Sequence, residues 1–361
     1  MKKKVIVNSI VLLVILILLY LVQSLLMPKY MTSIREGNLI AEYYSEKKDH
    51  DVIFIGDCEV YSNISPVTLW ENYGITSYIR GSAEQLIWQS YYLLEETLTY
   101  EKPDVAVFNV LSMKSDTPHK EEYNRLTLDG MRFSASKINA VKASMMDDEE
   151  PITYLFPILR YHSRWSELQA EDFKYLMCRD KVSHNGFLMR ADIKPVNYVP
   201  KGDALPDYRF SDTCYDYLDR MTKLCKDNGI RFILMKAPSV FPYWYEQWDE
   251  QMVHYAKENE IEYINFLNLS EETGIDNSTD TYDGGLHLNL SGAEKLTRYF
   301  GKILSEKYGI GDRRNDAQLN EIWESKKEFY YDMKQKQEEE LMEYGYLKSF
   351  GAKPETIDEE N

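Results

Sequence analysis

Between residues 51 and 110 short apolar runs alternate with amphipathic stretches, and this alternation limits the fold more than any other feature of the chain. "DVIFIG" reads as a buried strand. "SPVTLWENYG" reads as a helix, with Ser65 as N-cap, Pro66 at the first helical position and Gly74 as the stop. "ITSYIRG" is a second strand ending at Gly81, "AEQLIWQSYYLLEETLTY" an amphipathic helix, and "DVAVFNV" a third strand introduced by Pro103. Strands that alternate with helices predict a parallel sheet covered by helices on both faces. The rhythm fails over about residues 112–207, where helical patches such as "ITYLFPILRYHSRWSEL" sit among polar connections, and this part is expected to be a helical insertion. It resumes with the helix "CYDYLDRMTKLCKDNGI", the strand "RFILMKAP", the helix around "YWYEQWDEQMVHYAKENE" and the strand "IEYINF". "NLSGAEKLTRYFGKILSEKYG" closes the core, and residues 311–361 form a charged helical tail that is expected to fray at "KPETIDEEN".

Ahead of this domain, Lys2, Lys3 and Lys4 precede an uncharged run from Val5 to Leu26. About 20 apolar residues in a helix cross a bilayer core. The leading lysines place the N-terminus in the cytoplasm and everything after Met27 outside. A cleaved signal peptide is the alternative, but no good small-x-small cleavage site follows the run. The expected organisation is a cytoplasmic N-terminus and transmembrane anchor over 1–27, a juxtamembrane segment over 28–50, a main domain over 51–310 and the tail. The localisation it implies is a single-pass protein of the cell membrane.

The formal net charge of −17 excludes nucleic acid as a ready partner, because such a surface repels phosphate backbones. The four cysteines are Cys58, Cys178, Cys214 and Cys225. Cys214 and Cys225 fall on one predicted helix, about 16 Å apart along its axis, too far for a disulfide. With Cys178 they read as small core residues. No zinc-ligand spacing and no phosphate-binding glycine loop occurs, so neither metal nor cofactor is expected.

Several polar features fall at predicted strand ends. Cys58 follows the first strand, Gly81 ends the second and Asn109 the third, and "DTYDGGLHLNLSGAEK" carries Asp280, Asp283 and His287 before the final core helix. Together they are the parts for acyl transfer: an exposed nucleophile at a strand-to-helix turn, donors for an oxyanion, a base, and a carboxylate to fix the tautomer of that base. A His and a helix start beside Cys58 predict a lowered thiol pKa. Lys236, Asp57 and Gln85 are candidate substrate contacts. His162 and Arg164 read as partners of nearby acids, and Ser62 is a weak substitute nucleophile.

These residues resemble the SGNH/GDSL hydrolase superfamily, in its membrane-anchored bacterial branch. Gly56-Asp57-Cys58 stands where that superfamily has Gly-Asp-Ser, Gly81 matches the glycine of its second block, Asn109 the asparagine of its third, and "HLNLSGAEK" from His287 its last block. The resemblance implies a flavodoxin-like three-layer α/β fold. It also implies catalysis by Cys58, His287 and Asp283, with Gly81 and Asn109 holding the oxyanion. Two departures stand out. Cysteine replaces serine, and Asp283 lies four residues before His287 rather than three, a difference Gly284-Gly285 can absorb as a bulge, with Asp280 in reserve. The implied activity is acyl-ester hydrolysis or O-acyl transfer, O-acetyl above all, on a cell-envelope glycan. The rival expectation is an inactive relative that binds an acylated glycan or docks to a membrane-bound acyltransferase.

Overall fold

The computed structural model describes residues 2–28, 39–176, 181–199 and 201–351. Residues 29–38 of the juxtamembrane segment, Cys178 and the terminal "KPETIDEEN" lie outside the described residues. The chain begins with α1 (Lys2–Leu26), a 25-residue helix long and apolar enough to cross a membrane. A single helical turn, α2 (Leu39–Glu42), precedes β1 (Val52–Gly56), α3 (Cys58–Asn63), α4 (Pro66–Tyr73), β2 (Ser77–Gly81), α5 (Ile87–Thr97) and β3 (Val105–Asn109). The insertion holds α6 (Glu121–Leu128), α7 (Ala135–Ser144), α8 (Pro151–Leu155), α9 (Ile158–Tyr161) and α10 (Ala170–Lys174), and from there to α11 (Asp212–Asn228) the described residues form no regular helix or strand. The domain is completed by β4 (Arg231–Lys236), α12 (Glu246–Glu258), β5 (Glu262–Asn265), α13 (Ser270–Thr273), α14 (Leu290–Glu306) and α15 (Ala317–Tyr344).

The five strands form one parallel sheet in the order β2-β1-β3-β4-β5. This is the doubly wound, flavodoxin-like order, whose ligand crevice opens at the carboxyl ends of β1 and β3, where the winding reverses. The strands are mostly apolar because both faces are covered. Ile53, Ile55, Ala106, Phe108 and Leu234 point to one layer, with Leu93 and Leu94 of α5 and Leu218 and Met221 of α11. Val52, Phe54, Val105, Val107 and Ile233 point to the other, with Trp70 of α4, Leu296 and Phe300 of α14 and Trp323 of α15.

Two segments that read as peripheral in the sequence belong to the core. The stretch around Asn185 covers the outer edge of β2: Ile79 N donates to Asn185 O at 3.0 Å, and Asn185 Nδ2 donates to Ser77 O at 3.0 Å. An unpaired strand edge invites association with other chains, and this lining closes it. The charged tail is no loose extension up to Tyr344. Trp323 of α15 stacks on Trp70 with ring centroids 5.3 Å apart, Tyr330 is buried, and the buried Gln337 accepts from Ala191 N at 2.8 Å and donates to Met189 O at 3.0 Å. The apolar face of α15 is sparse in sequence, which hid this docking among charged residues.

Cys214 and Cys225 are buried and carry no disulfide. Arg164 pairs with Asp172 at 3.2 Å, and His162 Nδ1 lies 2.9 Å from Leu159 O.

Removing the Trp323 ring tests the docking of α15. Trp323→Ala is expected to cost about 3–5 kcal/mol, read as a clear fall in Tm of the detergent-solubilised chain. Met342→Ala on the exposed side of the same helix should leave Tm unchanged.

Candidate active site

The site grows from the turn after β1. Gly56 and Gly81 are register partners on β1 and β2, and a Cβ on Gly81 would meet Val60 Cγ2 at 2.7 Å and Gly56 O at 3.0 Å. Only glycine lets the second strand end so close to the turn. Asp57 then caps α3, its Oδ1 accepting from Glu59 N at 3.0 Å, and Cys58 is the first residue of that helix. Cys58 is half-buried and opens onto a cavity of about 60 Å³, which Asp57, Glu84, Gln85, Ser112, Lys114 and His119 also line. A larger cavity, about 670 Å³, lies between the C-terminal end of α1 and the insertion and holds none of the candidate site residues.

His287 sits on the loop before α14. Its Nδ1 is 2.6 Å from Asp283 Oδ2, while Asp283 Oδ1 accepts from Leu286 N at 3.1 Å and His287 N at 2.9 Å. Gly284 and Gly285, with φ of +87° and +113°, let the chain fold back between the two residues, so the four-residue spacing still joins them. Burial works to raise the Asp283 carboxyl, but the hydrogen bonds and charge of His287 outweigh it and hold the group below its usual range. Asp280 is engaged elsewhere: its Oδ2 pairs with Lys295 Nζ at 2.6 Å and accepts from Asp276 N at 2.8 Å.

Two links tie the His287 loop to the helix that bears Cys58. Asn63 Oδ1 accepts from Leu288 N at 2.8 Å, and Ser62 Oγ lies 3.4 Å from the hydroxyl of Tyr282, whose ring stacks on His287 with centroids 5.5 Å apart. Ser62 is buried and serves in this link. Nε2 of His287 is buried and finds no hydrogen-bond partner among the described residues. It is therefore not hydrogen-bonded to the Cys58 thiol in this arrangement.

Below the thiol lies a network of buried polar groups. Lys236 Nζ is 2.8 Å from Glu59 Oε1 and donates to Ala237 O at 2.8 Å, and both side chains of the ion pair are wholly shielded from solvent. Asn109 Nδ2 donates to Glu59 Oε2 at 2.8 Å and to Asp57 Oδ1 at 3.2 Å, and its Oδ1 accepts from Ala237 N at 3.2 Å. The amide of Asn109 is thus spent on two carboxylates rather than pointed at a free oxyanion position. Lys236 holds Glu59 and does not line the cavity. Gln85 does line it, but its own amide donates to Arg80 O at 3.3 Å and Ser90 Oγ at 3.0 Å.

The expectation of a lowered thiol pKa is corrected. Burial pushes the Cys58 thiol well up, and the charges of Asp57, Glu59 and Glu84 push it further. Burial, and next the neighbouring Glu59, also raise Asp57 to about 7. Sequence reasoning missed Glu59 and Glu84. The signal for Glu59 was available, because a lysine at the end of a buried strand needs an acid, and Glu59 directly follows Cys58.

No protein-family model matches the chain, and no curated protein matches it in sequence. Among solved structures it is similar to a GDSL-like lipase from Bacteroides thetaiotaomicron, at 13% identity and a TM-score of 0.35, over 75% of this chain and 99% of that one. It is also similar to a putative acylhydrolase from Bacteroides fragilis, at 12% identity and a TM-score of 0.36, over 74% of this chain and 94% of that one.

Two measurements follow from these charges. Iodoacetamide should alkylate Cys58 slowly at about pH 7, with a rate that still climbs above about pH 9, beyond the ordinary thiol pKa of about 8.5. A rate that levels off below about pH 8 would reveal a resting thiolate and refute this picture. Lys236→Met leaves Glu59 buried without its cation and should cost about 3–5 kcal/mol. Adding Glu59→Gln should recover part of that loss in the same melting assay.

Proposed function

We propose that the protein is an acyl-ester hydrolase or O-acyl transferase with Cys58 as nucleophile, His287 as base and Asp283 as the group that orients it. The observation that carries this reading is the Asp283–His287 pair at the carboxyl edge of the sheet, tied through Asn63 and Tyr282 to the helix that begins with Cys58.

In this reading His287 Nε2 takes the thiol proton as sulfur attacks the acyl carbon. The proton then passes to the departing alkoxide, leaving a thioester on Cys58. Water or an acceptor hydroxyl attacks that thioester, again with proton transfer through His287, and the thiol is restored. Asp283 keeps the Nδ1 proton in place and stabilises the imidazolium. The Gly81 N–H serves the oxyanion, and Asn109 joins it only if its amide turns away from Glu59 and Asp57. Lys236 would reach a substrate only by leaving Glu59, whereas Asp57 and Gln85 face the cavity directly. The cavity is small, about 60 Å³, which favours a small acyl group such as acetyl. With α1 read as a span and its leading lysines inside, the domain lies outside the membrane, within reach of envelope glycans and of a membrane-bound acyl donor enzyme.

A second reading has its own support. The raised thiol and the unpartnered Nε2 also suit a protein that binds an acylated glycan without turning it over.

Intact-mass spectrometry of the full chain with p-nitrophenyl acetate separates the two. The enzyme reading expects an acetyl adduct on Cys58 that is absent in Cys58→Ala and forms about 10²-fold or more slowly in His287→Ala. Absence of both adduct and ester cleavage would leave the binding reading. Topology has a separate check: protease added to intact cells should digest the domain, and full protection until lysis would reverse the orientation.

A further inference from the structure

We propose that the helical insertion lies on the bilayer surface, with the apolar side chains of α8 to α10 seated in the lipid beside the end of α1. This inference rests on α1 as a membrane span.

The argument starts from where the insertion grips α1. Arg164 Nη1 donates to Leu26 O at 2.6 Å, Ile158 N donates to Gln23 Oε1 at 3.4 Å, and Ser24 Oγ donates to Leu176 O. α9, the short turn His162–Ser166 and α10 all pack against α1. The hydrogen bonds fall on its last turn, about 4.5 Å of rise from Gln23 to Leu26. In a spanning helix of 25 residues that turn stands where the acyl region gives way to headgroups. Whatever packs there is at the interface.

The residues the insertion presents in that place suit the interface. Phe156 is 51% exposed, Leu159 49%, Trp165 73% and Phe173 61%, and Ile152 is also exposed on the neighbouring α8. They lie within a span of 22 residues, on elements that pack on one another and on α1. Isolated apolar residues are ordinary on a protein surface, but a cluster of large ones marks an interaction site. Trp at such a boundary places an amphipathic ring at headgroup depth. The chain's net charge of −17 disfavours attraction to anionic lipid. Contact is therefore made by apolar burial with neutral lipid, and it is insensitive to salt. The insertion starts with the stretch containing Ser112, Lys114 and His119, which line the cavity of Cys58, so one run of chain joins the seated patch to the site.

Tryptophan quenching in nanodiscs tests this with the full chain. α1 contains no Trp, and of the six in the protein Trp70, Trp88, Trp244 and Trp323 are buried and Trp248 is half-buried. Phosphatidylcholine brominated on the upper acyl chain should lower emission by about one indole's share of the six, relative to unbrominated lipid. Trp165→Phe should remove most of that difference, and Phe156→Ser with Phe173→Ser should shrink it at both low and high salt. Incorporation into nanodiscs with equal emission in the two lipids overturns the seated patch and leaves the span intact. A chain that never enters nanodiscs overturns the span and the patch together.

Discussion

The ion pair between Lys236 and Glu59 is the contact on which the rest of the site depends. It joins the end of β4 to the helix that follows β1, and through Asn109 it also fixes the end of β3. Two charges without solvent are costly to bury unless each finds a full set of partners. Here Glu59 takes Lys236 on one oxygen and Asn109 on the other, while Lys236 also meets Ala237 O. The three central strands therefore end in one fixed arrangement at the crevice. Removal of any member leaves a buried group unsatisfied, so the network holds the geometry of the turn that carries Cys58 more firmly than apolar packing alone would.

The same network sets the chemistry above it. Asp57 and Glu59 flank the thiol in sequence, and Glu84 lines the same cavity. Each disfavours a second negative charge on sulfur. Asp57 itself, raised to about 7, is partly protonated near neutral pH, so the field at the thiol weakens as the solution is acidified. A carboxyl whose pKa is raised in the fold binds more protons there than in the unfolded chain. Its contribution to stability is thus fully present below the unfolded value near 4, and is lost as pH rises from there through about 7.

Much of this was legible in the sequence, and the parts that were not share a cause. The five strands, the helices between them apart from α3, and the position of the turn at Cys58 follow from local patterns: apolar runs, an N-cap at Ser65, a stop at Gly74. The Asp283–His287 contact was foreseeable because both partners lie within five residues and the glycines between them have an evident purpose. The placement of Lys236 and Asn109 was not. Each was rightly set at a strand end, but whether such a side chain faces the cavity or turns beneath it depends on a partner distant in sequence, and Glu59 lies 177 residues from Lys236. The docking of α15 was obscured for a related reason. Its buried contacts are Trp323, Tyr330 and Gln337, spaced along a helix that is otherwise charged, and they acquire meaning only against Trp70 and Met189.

A cysteine in these surroundings differs from the activated thiol of an enzyme that keeps a thiolate at rest. Such enzymes set the sulfur beside a cation, and here the neighbours are carboxylates. In the proposed reaction the thiol keeps its proton until it is removed during attack, which is how a serine hydroxyl behaves. In that mode the position of the base matters more than the acidity of the nucleophile, since proton removal and bond formation proceed together. The unpartnered Nε2 of His287 is then the critical atom. Its ring is held from behind by Asp283 and from the side by Tyr282, and its loop is joined to α3 at Asn63 and Ser62. A substrate that fills the cavity at Leu286 and Pro242 touches the two loops that meet at Gly285, where Val240 N and Phe241 N donate to the glycine carbonyl. On the proposed function, binding energy there is available to bring Nε2 to the thiol, and occupancy of the cavity, rather than the resting charge on sulfur, would then be the switch for reactivity.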